Sequence, residues 1–100
     1  MSRAPGSGKK PSRKYRSAAR TSPGVATTLK ALGERVRALR IEAGLTQEEA
    51  GARAEIDMRH WQLVEYGRTN PTVATLVTMA RALGTTIGEL FDEEEPSPRS

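Results

Sequence analysis

The sequence predicts an all-α fold of five short helices between two charged tails, and three observations carry that prediction. Between residues 27 and 91 the apolar side chains recur at steps of three and four, the spacing that gathers them on one stripe of a helix. No run in that stretch alternates apolar and polar residues long enough for a strand. Helix-starting and helix-stopping residues also follow one another at short intervals.

The first helix is expected to start near Thr28. Leu29, Leu32, Val36 and Leu39 share its apolar stripe, Ala43 extends it, and Gly44 stops it by tolerating a positive φ. Thr46-Gln47-Glu48-Glu49 then reads as a capping box, with the Thr46 hydroxyl and the Glu49 carboxylate satisfying backbone N–H groups reciprocally. That opens a second helix to about Ala54. Asp57 is placed to cap a third, Met58 to Tyr66, which Gly67 ends. Asn70-Pro71-Thr72 forms a turn with Thr72 as the cap of the fourth helix, whose stripe reads Val73, Leu76, Val77, Ala80 and Leu83 before Gly84. Thr86-Ile87-Gly88-Glu89 reads as a second capping box, opening a last short helix through Leu90 and Phe91.

Charge divides the chain of 100 residues more sharply than its total of +4 implies. Residues 1–26 carry seven cations and no acid; residues 27–91 balance eight basic against eight acidic side chains; residues 92–100 carry a net −3. The basic head is rich in Gly, Pro and Ser and holds too little apolar surface to offset the entropy of ordering, so it is expected to be disordered. The acidic tail, broken by Pro96 and Pro98, is expected to be disordered too. The 65-residue segment between them lies near the lower limit of what folds unaided. Without Cys there is no disulfide and no Cys-based zinc site, consistent with a reducing cytoplasm. No stretch reaches the roughly 18 apolar residues of a membrane span, and the basic N-terminus lacks the apolar stretch of a secretory signal. One Trp, two Tyr and one Phe argue against a large core around a deep pocket, and no enzyme activity and no cofactor are expected.

The second and third helices lie so close together that they must cross steeply. Ala54 ends one, Asp57 caps the next, and Glu55-Ile56 makes the corner, the layout of a helix-turn-helix unit. Gly51 falls where the two backbones approach, a position that must be small. Ala50, Ala54, Ile56, Trp61 and Val64 take the inward spacings. Met58, Arg59, Gln62 and Leu63 are left on the outer face of the third helix, where Arg and Gln suit the donor and acceptor edges of bases in a major groove.

Gly44-Leu45-Thr46-Gln47-Glu48-Glu49, Arg53-Ala54, Val64-Glu65-Tyr66-Gly67-Arg68-Thr69-Asn70-Pro71-Thr72, Ala80-Arg81-Ala82-Leu83-Gly84 and Glu89-Leu90-Phe91, in this order and spacing, resemble the phage repressor and Cro family of helix-turn-helix domains, also called the xenobiotic-response-element (XRE) type. The resemblance covers roughly residues 29–91 and implies a lambda-repressor-like five-helix bundle. It implies DNA contacts from Thr46 and Gln47, with Gln47 on a phosphate and helping to fix the start of the recognition helix. Met58 and Arg59 would reach base edges, Gln62 and Leu63 would lie further along the groove, and Arg68, Thr69 and Asn70 would rest against the DNA backbone. It also implies an internal ion pair between Arg40 and Glu65; on the residues alone, a surface pair worth little is equally open.

Two departures from the family pattern stand out. Glu55 replaces the usual corner Gly, and a side chain at positive φ there costs on the order of 1 kcal/mol. Ala50-Gly51 replaces the usual Leu-Ala, removing apolar volume and helix propensity. Trp61, at a position more often aliphatic, can fill the space, provided its indole N–H finds a partner or the surface.

In the head, Lys9, Lys10, Arg13, Lys14 and Arg16 are candidates for nonspecific phosphate contacts; the alternative is a solubilising extension. His60 has no second His or Cys to complete a metal site. The expected function is a sequence-specific transcriptional regulator that occupies an operator through the recognition helix 57–66, on double-stranded DNA and as a homodimer, with no membrane partner. Residues of the last two helices, Phe91 above all, are candidates for the dimer contact. The alternatives are an antitoxin-like protein-interaction module with secondary DNA binding and a nonspecific nucleic-acid binder driven by the head.

Overall fold

A computed structural model describes residues 23–92. They form five helices: α1 Pro23–Glu42, α2 Gln47–Ala54, α3 Met58–Glu65, α4 Val73–Ala82 and α5 Ile87–Leu90, with no strand among the described residues. The expected disorder of the head and of the acidic tail falls almost wholly outside these residues.

The first helix begins at Pro23 rather than near Thr28, so residues 23–26, assigned to the head by composition, make its first turn. Proline suits that place: its φ is already helical and its missing N–H would have had no partner in the first turn. Thr46 caps α2 with both halves of the capping box: the Glu49 N–H donates to the Thr46 hydroxyl at 3.0 Å, and the Thr46 N–H donates to the Glu49 carboxylate at 2.9 Å. The second expected box is only half formed. Thr86 Oγ1 accepts from the Glu89 N–H at 3.3 Å, but the Glu89 carboxylate takes the Thr85 hydroxyl at 2.9 Å instead of reaching back to the cap. Asp57 has the extended backbone of an N-cap, yet its side chain makes no capping hydrogen bond, so α3 is positioned by packing and by its side-chain network. Thr72 caps α4 through the Thr75 N–H at 3.1 Å.

The helix ends are more uniform than the starts. After α1, α3 and α4 the chain turns through Gly44, Gly67 and Gly84, all at positive φ. At each, two backbone hydrogen bonds close the last turn, as where Gly67 N–H meets the Val64 carbonyl at 3.0 Å and Arg68 N–H the Leu63 carbonyl at 2.9 Å. The corner after α2 uses the same closure without a glycine: Glu55 N–H bonds the Ala52 carbonyl, Ile56 N–H bonds the Gly51 carbonyl, and Glu55 sits at φ 61° and ψ 41°. Among the described residues it is the only non-glycine residue with positive φ.

The core comprises Leu32 and Val36 of α1, Ala50 and Ala54 of α2, Trp61 and Val64 of α3, Leu76, Met79 and Ala80 of α4, and Leu90 of α5. Helix α3 packs on α1 and α2, α4 packs on α2, and α5 closes against α4 and α1. On α4 the buried face differs from the expected stripe. Val73 is 68% exposed and Val77 40%, while Met79, absent from that stripe, is fully buried. Residues 76, 79, 80 and 83 form the covering face, rotated from the one that starts at Val73.

Two glycines set the closeness of the packing. A Cβ on Gly51 would lie 3.0 Å from the Ile56 carbonyl oxygen and 3.4 Å from the Met58 backbone, so the α2–α3 crossing does require a small residue there. Gly33, in the middle of α1, is tighter still. A Cβ there would lie 2.6 Å from the Val64 carbonyl oxygen and meet the Glu65 carbonyl oxygen closer yet. The expectation named Gly51 and missed Gly33, although an interior helix glycine, about 1 kcal/mol worse than Ala in propensity, signals such an approach.

Candidate nucleic-acid interface

The two faces of α3 are differently occupied. Trp61, Val64 and Glu65 are buried; Met58, at 43%, and Arg59 are exposed; Gln62 and Leu63 are half-buried. Of the loop that follows, Arg68 and Asn70 are exposed and Thr69 half-buried. At the start of α2, Thr46 is exposed and Gln47 half-buried. The Gln62–Gln47 hydrogen bond, at 3.0 Å, sets the opening of α2 against α3, and the loop follows α3 directly. Lys9, Lys10, Arg13, Lys14 and Arg16 lie outside the described residues.

Behind that face stands a polar network centred on Glu65. Its carboxylate accepts from Arg40 Nε at 2.6 Å and Trp61 Nε1 at 2.7 Å on Oε2, and from Arg40 Nη2 at 3.1 Å and Gln47 Nε2 at 2.9 Å on Oε1. Arg40 also donates through Nη1 to the Leu45 carbonyl at 2.9 Å, holding the turn that leads into α2. The two side chains are 11% and 0% exposed, so this is a buried, forked ion pair of α1 with α3 rather than a surface pair. Burial by itself would push the Glu65 carboxyl up. The hydrogen bonds from Arg40, Gln47 and Trp61, with the Arg40 charge, outweigh that and hold it below the ordinary glutamate value.

The network also answers how Trp61 is accommodated. Its ring is fully buried, and its indole N–H finds Glu65 one turn along the same helix. Gln47 departs from the simple expectation of a phosphate ligand. Its amide is engaged at both ends inside the protein, donating to Glu65 and accepting from Gln62 Nε2 at 3.0 Å. That link between α2 and α3 was not legible in the sequence, because fifteen residues separate its partners and no local spacing signals it.

No group of three or more His, Cys, Asp or Glu is placed to hold a metal among the described residues. None of their helices is long and apolar enough to cross a membrane.

Two short helices, α2 and α3, joined by a three-residue turn and packed together inside a five-helix bundle, are the layout of the helix-turn-helix class of transcriptional regulator. The chain belongs to the helix-turn-helix domain family, matched over residues 31–93, and to its phage repressor and Cro (XRE) type. It is 42% identical over 69 residues to the HTH-type transcriptional regulator y4dJ of Sinorhizobium fredii, a match covering 69% of this chain and 90% of that protein. It is 33% identical over 63 residues to the immunity repressor protein of Bacillus phage phi105, covering 63% of this chain and 44% of the repressor. Among solved structures it is similar to the restriction-modification controller protein C.AhdI of Aeromonas hydrophila, with a TM-score of 0.62 and 33% identity over 63% of this chain and 96% of that one.

Proposed function

We propose that this protein is a sequence-specific regulator of transcription that acts by occupying an operator in double-stranded DNA, with α3 in the major groove. The observation that carries the reading is the division of α3. One side is held by a buried ion pair and an indole hydrogen bond, and the other leaves Met58, Arg59, Gln62 and Leu63 accessible in whole or part. A reading helix gains from such anchoring because its side chains enter the groove already placed.

In this reading Arg59 and Met58 meet base edges near the start of α3, and Gln62 and Leu63 meet them further along. Arg68, Thr69 and Asn70 lie along the phosphates after the helix. Thr46 and Gln47 meet a phosphate at the opening of α2, where the main-chain N–H groups of Gln47 and Glu48 have no helical partner and that of Glu49 is held by the Thr46 hydroxyl. Arg40 and Glu65 take no part in contact; they hold α1 and α3 together. The folded segment balances its charges, so general affinity comes from the head, with Lys9, Lys10, Arg13, Lys14 and Arg16 neutralising phosphates without reading sequence. One domain of this size reads few base pairs, and a homodimer on two half-sites about 34 Å apart supplies the rest. The exposed Val73, Val77 and Phe91 are apolar surface for that contact.

Selection of bound duplexes from a random pool at about 0.15 M salt tests this. The expected product is one enriched motif with two-fold symmetry, whose preference flattens at one position in Arg59→Ala. Replacing the five head cations by Gln is expected to weaken binding to every sequence alike and to make its salt dependence shallower. A pool that returns no motif would refute the reading.

A further inference from the structure

Helix α1 carries four cations, and the fold uses two of them internally. Arg40 forks onto Glu65, and Arg35 Nε donates to the Glu89 carbonyl at 3.0 Å, tying α1 to α5. Lys30 and Arg37 are exposed. Where these two emerge is fixed by the seam between α1 and α3. Gly33 sits against the end of α3, since a Cβ there would lie 2.6 Å from the Val64 carbonyl oxygen. At about 100° per residue, Leu29, Leu32 and Val36 fall on the core side of Gly33, whereas Arg37 and Lys30 fall roughly 40° and 60° round on the other side. Both cations therefore line the outer edge of the seam, about 10 Å apart along the helix.

That edge adjoins the loop that lies along the phosphates in the reading above. A Cβ on Gly67, the residue before Arg68, would lie 3.3 Å from the Lys30 Cα and 3.4 Å from the Leu29 carbonyl oxygen, so the chain leaves α3 directly against α1. The folded segment balances its charges in total but not in place. Lys30 is held by Glu34 at 3.3 Å, with both side chains largely exposed. Such a pair adds little to the fold, so Lys30 can exchange it for a phosphate at small cost.

We infer that Lys30 and Arg37 make α1 a further DNA-contacting element, which grips the phosphates at the C-terminal end of α3 together with Arg68. The inference rests on the operator-binding reading above and adds to it two residues that fix position and affinity without reading bases. A duplex that takes α3 into its major groove passes a phosphate strand by the end of that helix, and the three cations meet it from the two sides of the α1–α3 seam.

The test measures the affinity of the full chain, Lys30→Gln, Arg37→Gln, the double variant and Arg81→Gln for a duplex bearing the motif that the full chain selects, from about 50 to about 200 mM salt. Each single variant is expected to make the slope of log affinity against log salt shallower by about 0.9, and the double variant by about 1.8. The full chain's advantage over the double variant then shrinks roughly twelvefold across that range. Arg81→Gln removes the same charge from α4, which packs on α2 and α5, and should leave the slope unchanged. The motif selected by the double variant should be the parent's. Folding of each variant is followed by the fluorescence of Trp61, the single tryptophan. A slope equal to the parent's in either single variant overturns the inference, as does an equal fall in Arg81→Gln, which would make the effect one of net charge. A preference lost at one base position overturns it too, because the cation would then be reading a base. These results leave operator binding intact, whereas a parent protein that selects no motif removes both proposals.

Discussion

Lys30–Glu34 and Arg40–Glu65 are both ion pairs that begin on α1, and they differ in almost everything that decides what a pair is worth. The first spans one helical turn at 3.3 Å, with side chains 74% and 68% exposed. The second joins two helices across twenty-five residues, forked, at 2.6 Å on its shorter bond, and nearly sealed from water. In water the attraction of the first is screened, and holding two long side chains in one geometry consumes much of what remains. In the second, Arg40, Gln47 and Trp61 supply four hydrogen bonds to one carboxylate, and that arrangement is what permits a charge to be buried at all. The exposed pair decorates a helix; the buried pair organises the back of the recognition helix. Removing one partner is therefore expected to have very different consequences in the two places.

Glu65→Ala should have the largest effect. It leaves Arg40 charged and buried and the Trp61 N–H without its acceptor, at about 3–5 kcal/mol. Urea unfolding followed by Trp61 fluorescence measures it, and a loss below about 1 kcal/mol would mean that the pair behaves like Lys30–Glu34. Gly33→Ala attacks the same junction from the other side, driving a methyl group into the Val64 and Glu65 carbonyl oxygens. Because both obstacles are backbone, α1 must move off α3, at roughly 2–3 kcal/mol, even though Ala is the better helix former; a stabilised variant would show that the contact is looser than described.

Acid should weaken the buried pair. The folded protein holds the Glu65 proton less readily than the unfolded chain does. Its contribution is thus complete above the ordinary glutamate value of about 4.3 and drains away as pH falls through the lowered folded value. Carbon-13 titration of the Glu65 carboxyl should give a midpoint below that value; one at or above it contradicts the network.

Glu55→Gly offers a gain instead of a loss. Relieving the positive φ of the corner should stabilise the protein by on the order of 1 kcal/mol, read as a higher unfolding midpoint with no change in the motif selected. Lys30→Ala comes last. It should cost no more than a few tenths of a kcal/mol at low salt and nothing measurable near 1 M, where the screening length is about 3 Å.

Legibility in the sequence follows the same division between local and distant partners. The capping box at Thr46, the stops at Gly44, Gly67 and Gly84, the strained Glu55 corner and the tight Gly51 are all visible in the sequence because their partners lie within five residues, or follow from one short turn. Thr86 looked equivalent to Thr46, but the adjacent Thr85 hydroxyl competes for the Glu89 carboxylate. On α4 an apolar period of three to four fits both a face containing Val73 and Val77 and one containing Met79. Pattern counts positions; only neighbours decide which side is covered. In the candidate interface, the exposure of Met58 and Arg59 was legible from the inward set, the half-burial of Gln62 and Leu63 was not, and Arg40 and Glu65 were legible from the family resemblance. The occupied amide of Gln47 was not.

The order of helices, their ends and the crossing of α2 with α3 were determined by the sequence itself, because hydrogen bonds between residues three to five apart are satisfied or not by what stands at those positions. The closeness of Gly33 to α3, the burial of Met79, the acceptor for Trp61 and the direction in which Gln47 and Gln62 present their amides were decided only when helices distant in the chain were brought together. Each depends on an atom belonging to another helix, or on a carboxylate whose position another helix fixes, and a dipolar side chain takes its orientation from the charge it meets.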